Sequence, residues 1–299
     1  MLELLNHCRL CPRRCGVNRN AGERGFCGAD STVRVGRASL HYWEEPCLSG
    51  ERGSGTVFFS YCTLQCVYCQ NSQISHDHLG KEITLSRLAE IFLELQKKGA
   101  HNLNLVTPTH YVPQIITALD AAKAEGLSLP VVYNTSGYER AETLRLLDSH
   151  VDIYLPDFKY ASAGSASRYS AAGDYADVVK AALDIMTEQA GLPSFDEDGM
   201  MKRGVIVRHL ILPGHYEETR EILRYLHKRY GNRIYISLMN QYTPFARAKA
   251  YPEINCKVPQ RDYDALVDYA VELGIENGFI QEEGTAEESF IPLFDGQGC

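Results

Sequence analysis

Three of the ten cysteines in this 299-residue chain fall in one short segment, Cys62-Thr63-Leu64-Gln65-Cys66-Val67-Tyr68-Cys69. The C-x3-C-x2-C spacing directly follows the apolar run Thr56-Val57-Phe58-Phe59-Ser60, which predicts a β-strand. Thiolates are the usual ligands of iron–sulfur clusters, and three of them leave one iron of a [4Fe–4S] cube open to a substrate or cofactor. The alternative is a grouping of buried or incidental thiols, which two such intervals at a strand end disfavour. The sequence therefore predicts an open cluster at the end of a strand.

From residue 55 onward, short apolar runs alternate with helical patterns, which is typical of βα units and a parallel sheet. Six strands are predicted, near 55–60, 102–106, 130–134, 151–156, 204–211 and 233–238. Helices are predicted at 85–95, 115–119 and 178–186 from their 3.6-residue period, and near 140–149, 216–230 and 260–273. Six such units predict an α/β fold, a partial (β/α)6 TIM-like barrel that binds its ligands at the carboxyl ends of the strands.

Polar or turn-forming segments follow every one of these predicted strands. In strand order they are Cys62, Thr107-Pro108-Thr109-His110, Asn134-Thr135-Ser136-Gly137, Asp157 with Lys159, Pro213-Gly214-His215, and Asn240-Gln241. Because the carboxyl ends of parallel strands meet at one face of a barrel, the sequence predicts a ligand-binding mouth there.

A second set of cysteines lies near the start of the chain. The spacing is Cys8-x2-Cys11-x3-Cys15-x11-Cys27, in a segment rich in Arg and Gly with no predicted helix or strand. Four thiols suit Zn²⁺ or an auxiliary iron–sulfur cluster, which would fold a segment that lacks apolar residues; free buried thiols are the alternative. We therefore divide the chain into a Cys-rich N-terminal extension (1–54), a barrel (55–282) and a C-terminal tail (283–299).

Composition excludes several classes of protein. The chain is 44% hydrophobic and 23% charged, as expected of a globular protein, and its net charge of −8 argues against a nucleic-acid partner. Its apolar runs are too short to span a membrane, and the first residues lack a signal-peptide pattern, which predicts a cytoplasmic protein with no membrane partner. In a reducing cytosol, cysteines serve as metal ligands more often than as disulfides.

The cysteine segment resembles the cluster motif of radical S-adenosylmethionine (SAM) enzymes, with Tyr68 in the aromatic position before the last cysteine. Further matches extend over nearly the whole chain: Cys8-Arg9-Leu10-Cys11-Pro12-Arg13-Arg14-Cys15, Glu44-Glu45-Pro46, Gly53-Ser54-Gly55, Leu155-Pro156-Asp157-Phe158-Lys159 and Ser237-Leu238-Met239-Asn240-Gln241-Tyr242. Together these resemble the uncharacterised homologues of the pyruvate formate-lyase activating enzyme.

The resemblance implies an oxidoreductase with a [4Fe–4S] cluster held by Cys62, Cys66 and Cys69. SAM would chelate the open iron and be cleaved reductively to methionine and a 5′-deoxyadenosyl radical that abstracts hydrogen from a substrate. The implied partners are an electron donor such as flavodoxin or ferredoxin and a glycyl-radical-type protein. Two alternatives stay open: a radical SAM enzyme acting on a small molecule or peptide, and a non-catalytic iron–sulfur or zinc protein.

The resemblance also implies contacts to SAM. Lys159 would pair with its carboxylate, and Asp157 would accept from its ribose or amino group. Asn134 and Thr135 would contact the ribose, although Asn stands where better-known members carry an acid.

Further cofactor contacts are predicted at the same mouth. Thr107 would meet the amino group, the backbone of Tyr68 would meet the adenine, and Gln241 would lie beside them. Because an unpaired polar residue is costly to bury, Arg208 or His209 on the fifth strand would face a ligand or a carboxylate; His209 is predicted as a cofactor contact, with a core histidine as the alternative. His110 is assigned to the substrate side, and no residue is singled out as catalytic.

Overall fold

The computed structural model describes residues 1–281 and 292–299. Its strands are β1 Val33–His41, β2 Ser54–Phe59, β3 Lys81–Ile83, β4 Leu103–Val106, β5 Val131–Thr135, β6 Ile153–Pro156, β7 Ser194–Phe195, β8 Met201–Leu210, β9 Tyr235–Met239 and β10 Gly278–Ile280. Its helices are α1 Pro46–Ser49, α2 Ser72–Ser75, α3 Leu85–Lys97, α4 Val112–Ala124, α5 Ala141–Arg145, α6 Ala163–Ser170, α7 Tyr175–Ala190, α8 Tyr216–Tyr230 and α9 Gln260–Glu272. None of these helices is long and apolar enough to cross a bilayer.

The central sheet is mostly parallel. Its order is β10-β9-β8-β6-β5-β4-β2-β1-β3, and the seven strands from β10 to β2 pair in parallel. Every residue of β2, β4 and β6 is buried, as expected of parallel strands covered on both faces. The predicted α/β fold, with six strands of a partial TIM-like barrel, is confirmed.

The helices follow the predicted periodicity where they are long. In α3 the buried face comprises Leu88, Ile91, Phe92 and Leu95, and the helix begins where the Thr84 hydroxyl accepts a hydrogen bond from the Arg87 amide at 3.1 Å. The helix predicted near 140–149 is much shorter, since α5 ends at Arg145. A seventh parallel strand, β10, was not predicted, because three residues are too few to show the alternation of apolar and polar residues that marks a strand.

The prediction that residues 1–54 contain no helix or strand was wrong, since helix α1 and strand β1 both lie there. Strand β1 spans nine residues and pairs antiparallel with β2, with His41 opposite Ser54 and Val35 opposite Phe59. Its alternation of apolar and polar residues is broken by a bulge between Val35 and Arg37, so its period of two was not visible. The extension therefore contributes a strand to the sheet that carries the barrel.

The end of the chain lies on β1. The amide of Ala38 donates to the Gln297 carbonyl at 2.8 Å, and Phe294 packs its ring 5.5 Å from that of Phe58. Of the predicted tail 283–299, only 292–299 can be placed; residues 283–291, and residue 282 of the predicted barrel, lie outside the described residues.

Candidate functional site

The cysteine segment forms a loop at the carboxyl end of β2. Tyr61 and Gln65 adopt left-handed backbone conformations, with φ of 73° and 54°. These turns bring the amides of Leu64 and Gln65 to 3.4 and 3.5 Å from the Cys62 sulfur, which accepts from both. Burial raises the pKa of the Cys62 thiol to about 12, so its thiolate requires a cation to stabilise it.

The loop opens into a cavity of about 290 Å³ at the carboxyl ends of the parallel strands. All three motif cysteines and most of the predicted SAM contacts line it: Cys62, Cys66, Cys69, Tyr68, Thr107, Asn134, Thr135, Asp157, Lys159 and Gln241. The structure thus brings together residues that are up to 179 positions apart in the sequence. His209 is the one predicted contact that does not line this cavity.

Lys159 and Asp157 form an ion pair within the cavity, with Nζ and Oδ2 2.7 Å apart. Burial opposes the charge of Lys159, but Asp157 and the nearby Cys66 outweigh it, and the pKa of Lys159 is raised. The Tyr175 hydroxyl donates to the Asp157 carbonyl at 2.9 Å and accepts from the Lys159 amide at 3.0 Å, which fixes the strand end. Lys159 therefore keeps its positive charge beside the motif cysteines, with Asp157 as its counter-ion.

The ends of β4 and β5 are held by a buried carboxyl group. Glu139 accepts hydrogen bonds from the hydroxyls of Thr135 and Thr109, and burial raises its pKa to about 7. Thr107 adopts a positive φ of 59°, and its amide donates to the Asn134 carbonyl at 2.9 Å. By accepting these two hydrogen bonds, the Glu139 carboxyl group holds the segments that follow β4 and β5 together at this mouth.

Tyr68 and Gln241 are placed by their neighbours. The Tyr68 ring lies edge-on to three tyrosines, with centroids 6.0 to 6.4 Å from those of Tyr160, Tyr169 and Tyr242. The Gln241 amide oxygen accepts from Gln281 at 3.3 Å. Because its ring is packed in this way, the backbone of Tyr68 is held in place. This backbone is the part of Tyr68 that is predicted to contact adenine.

Arg208 and His209 point to opposite sides of β8. The Arg208 guanidinium pairs with Glu45 at 2.6 and 2.8 Å and also with Glu44, and all three line the cavity. Burial opposes the charge of Glu45, but Arg208 outweighs it and lowers the pKa of Glu45. His209 is a core histidine, with Nδ1 2.6 Å from the Phe158 carbonyl and Nε2 2.9 Å from the Thr219 hydroxyl. Reasoning from the sequence missed Glu44 and Glu45 as site residues, although two adjacent acids before Pro46 were visible.

The four N-terminal cysteines surround a second, much smaller cavity, which is lined by Cys8, Cys11, Cys15, Cys27, Arg19 and His110 among others. His110, predicted on the substrate side, lies here instead. The second set of cysteines is therefore a separate site.

Neither set has the geometry of a single-ion site. Among residues 1–281 and 292–299, no three His, Cys, Asp or Glu side chains converge closely enough for one metal ion. Around an iron–sulfur cube, by contrast, the irons themselves keep the thiolates apart. Three thiols at the edge of a cavity, with a cation beside them, therefore fit a cluster with one open iron.

Comparison with known proteins agrees with this geometry. Residues 56–226 match the family model of the Radical SAM superfamily. The chain is 30% identical over 283 residues to the uncharacterized protein MJ0674 of Methanocaldococcus jannaschii, covering 91% of this chain and 77% of that protein.

Two solved structures are similar to this chain at low sequence identity. SuiB of Streptococcus suis, solved bound to the precursor peptide SuiA, superposes with a TM-score of 0.50 at 12% identity, covering 75% of this chain and 47% of SuiB. HydG of Carboxydothermus hydrogenoformans, an FeFe-hydrogenase maturase, gives a TM-score of 0.45 at 14% identity, covering 76% and 58%. The chain thus spans only about half the length of these proteins. The SuiB match shows a shared fold.

The chain belongs to the radical SAM superfamily, a class of enzymes that bind a [4Fe–4S] cluster and S-adenosylmethionine. The predicted superfamily and both of these cofactors are confirmed by the family match. The finer relationship to the pyruvate formate-lyase activating enzyme stays a prediction.

Proposed function

We propose that this protein cleaves SAM reductively in the 290 Å³ cavity and abstracts hydrogen from a protein partner, which thereby gains a glycyl-type radical. One observation supports this most directly: the three motif cysteines and the Asp157–Lys159 pair line one cavity. When bound, the cluster supplies the electron and SAM supplies the carbon radical. A flavodoxin or ferredoxin would reduce the cluster.

The residues of this chain bind and orient the cosubstrate. Lys159 offers its ammonium to the carboxylate of SAM, and Asp157 accepts from the amino or ribose groups. Thr135 and Asn134 line the cavity at the end of the neighbouring strand β5, where Glu139 holds the Thr135 hydroxyl. Reactive radicals require exclusion of water, which the buried tyrosines around Tyr68 provide on one side.

The rim of the cavity supports a macromolecular substrate. A cavity of about 290 Å³ lies at the lower end of the range for sites that hold one small ligand, roughly 300 Å³ and above. SAM would fill such a volume, so the hydrogen donor would approach from outside. Trp43 and Ile280 line the cavity and expose 61% and 63% of their surface, which suits contact with a protein segment.

A peptide substrate is the second candidate. SuiB, which shares the fold, was solved with its precursor peptide bound. A short peptide would reach the same rim as a protein loop, and only the extent of the contact would differ.

The test is anaerobic reconstitution with iron and sulfide, reduction with dithionite, and quantification of 5′-deoxyadenosine after addition of SAM. We expect steady formation by the natural chain and none by Cys62→Ala/Cys66→Ala/Cys69→Ala. Stimulation by a glycyl-radical protein supports the main proposal, whereas stimulation by short peptides alone supports the second. A reconstituted cluster with no SAM cleavage would contradict both and favour a non-catalytic iron–sulfur protein.

A further inference from the structure

The four N-terminal cysteines are free thiols that share one cavity. Cys8, Cys11 and Cys27 are buried and Cys15 is exposed, yet all four line one cavity. No disulfide joins them within the described part of the chain. Four adjacent thiols without a disulfide form a donor set for a thiophilic metal.

The surrounding backbone is shaped around the sulfurs. The Cys15 sulfur accepts from the Phe26 amide at 3.3 Å, and a Cβ atom placed on Gly25 would lie 2.6 Å from that sulfur. Only glycine therefore leaves room for Cys15 at this turn. Buried Arg19 lies with a guanidinium nitrogen 3.8 Å from the Cys8 sulfur, which places a cation beside the thiols.

His110 lines the same cavity. Its side chain is 2% exposed, and Nε2 lies 2.8 Å from the Ser60 carbonyl. A carbonyl can only accept, so Nε2 carries the proton and Nδ1 keeps a lone pair. Within the described residues Nδ1 has no hydrogen-bond partner. A histidine that donates one N–H to a carbonyl and leaves its other nitrogen free has the arrangement of a metal ligand.

We propose that Cys8, Cys11, Cys15 and Cys27 form a second metal centre, separate from the SAM site, with His110 Nδ1 as an additional donor. The ligand chemistry is that of a thiophilic metal, either zinc or an auxiliary iron–sulfur cluster. The thiols stand farther apart than the ligands of one ion, which favours a cluster; a single zinc ion, which a cavity of about 10 Å³ would suit, requires the thiols to close around it. The experiment below distinguishes the two metals.

The position of this centre gives it a structural role. Arg13 Nε donates to the Thr63 carbonyl at 3.1 Å, and Gln65 Nε2 donates to the Phe26 carbonyl at 3.0 Å. Both bonds join the cysteine-rich segment to the Cys62–Cys69 loop. A metal that orders the segment would therefore also hold the loop that carries the SAM cluster.

Differential alkylation of the natural chain, purified anaerobically, tests the proposal without a mutation. Cys15 and Cys256 are both exposed, so both should react with iodoacetamide if no metal is bound. We expect Cys15 to react at least tenfold more slowly than Cys256, and at a similar rate after denaturation with chelator. Equal rates in the native protein would overturn the proposal.

Metal analysis identifies the metal. In Cys62→Ala/Cys66→Ala/Cys69→Ala, which lacks the first cluster, we expect either about one zinc or about four irons with sulfide per chain. Replacing Cys8, Cys11, Cys15 and Cys27 with Ser in addition should remove that metal, whereas Cys256→Ser should not. Less than a tenth of an equivalent of any metal in the first variant, together with unprotected Cys15 in the natural chain, would show that these are packing residues. Because SAM cleavage is not measured, failure here leaves the proposed function untouched.

The role of His110 has its own readout. If Nδ1 is a ligand, His110→Gln should lose the metal to a chelator at least tenfold faster than the natural chain. His150→Gln, which changes a histidine paired with Asp120 on the surface, is the matched control. Equal rates in the two variants would remove His110 from the ligand set.

Discussion

The two cysteine-lined sites differ in how many thiols they have and what surrounds them. The Cys62–Cys69 loop offers three thiols to a cavity of about 290 Å³ that also contains three ion pairs, Lys159 with Asp157 and Arg208 with both Glu44 and Glu45. The N-terminal site offers four thiols to a cavity of about 10 Å³. Metal sites with a full set of protein ligands are structural, whereas catalytic sites keep a position open. If both sites bind metal as proposed, one missing thiol with room beside it separates a site for chemistry from a site for folding.

Removing the three motif cysteines should produce the largest effect. Cys62→Ala/Cys66→Ala/Cys69→Ala should lose the catalytic cluster and reduce 5′-deoxyadenosine formation to background, because no other thiols line that cavity in the described ranges. Slow alkylation of Cys15 should persist, since this variant keeps all four N-terminal thiols that are proposed to bind the second metal. Simultaneous loss of protection at Cys15 would show that the two sites are one, which breaks the comparison.

Removing a charged side chain from the larger cavity should lower the free energy of unfolding more than removing one from the exposed surface. Arg208→Met leaves Glu44 and Glu45 buried without their cation, and breaking such pairs costs about 3–5 kcal/mol. Arg229→Met removes a pair with Asp184 whose side chains are 55% and 41% exposed, which is worth less than about 1 kcal/mol. Urea unfolding of both variants measures the difference; equal losses would mean that Arg208 is solvated.

Much of this organisation could be predicted from the sequence, and the omissions share a physical cause. Strands β2, β4 and β6 are rich in apolar residues and fully buried, so they could be recognised locally. Asp157 and Lys159 could be recognised in the same way, because they directly follow the end of β6. The pair between Arg208 and Glu45 joins residues 163 positions apart, and the contact of His110 with the N-terminal cavity joins two distant segments. Such pairings depend on the folded arrangement and leave no periodic signal.

Glu139 lies between the two regions and should make stability depend on pH. Its hydrogen bonds reach Thr135 in the larger cavity and Thr109, the neighbour of His110. Burial raises its pKa from 4.5 to about 7, so between these values the folded state holds a proton that the unfolded state has lost. Stability should therefore fall as pH rises through this window, by up to about 3 kcal/mol, and stay level above it.

The measurement is the free energy of unfolding of the natural chain and of Glu139→Gln from pH 4 to pH 8. We expect the difference between them to shift in favour of the variant by up to about 3 kcal/mol across this range. A pH-independent difference would show that folding does not raise the pKa of Glu139.

The smallest expected effect concerns affinity for SAM. Lys159→Ala and Asp157→Ala each remove one charge-assisted contact, worth about 1.5–3 kcal/mol, or roughly a ten- to hundredfold loss of affinity. The cluster should remain, because neither residue is a thiol. Lys202→Ala and Asp196→Ala alter a more exposed pair at 2.9 Å and should leave affinity unchanged. Calorimetric titration showing the same affinity in all four variants would contradict the assignment of Lys159 and Asp157.

The contrast between an open and a closed thiolate site is tested most directly by electron paramagnetic resonance of the dithionite-reduced protein, with and without SAM. We predict that SAM changes the signal of the cluster that depends on Cys62, Cys66 and Cys69. Any second signal, from Cys8, Cys11, Cys15 and Cys27, should not change. A spectrum that SAM leaves unaltered in a fully reconstituted protein would contradict an open iron in the larger cavity.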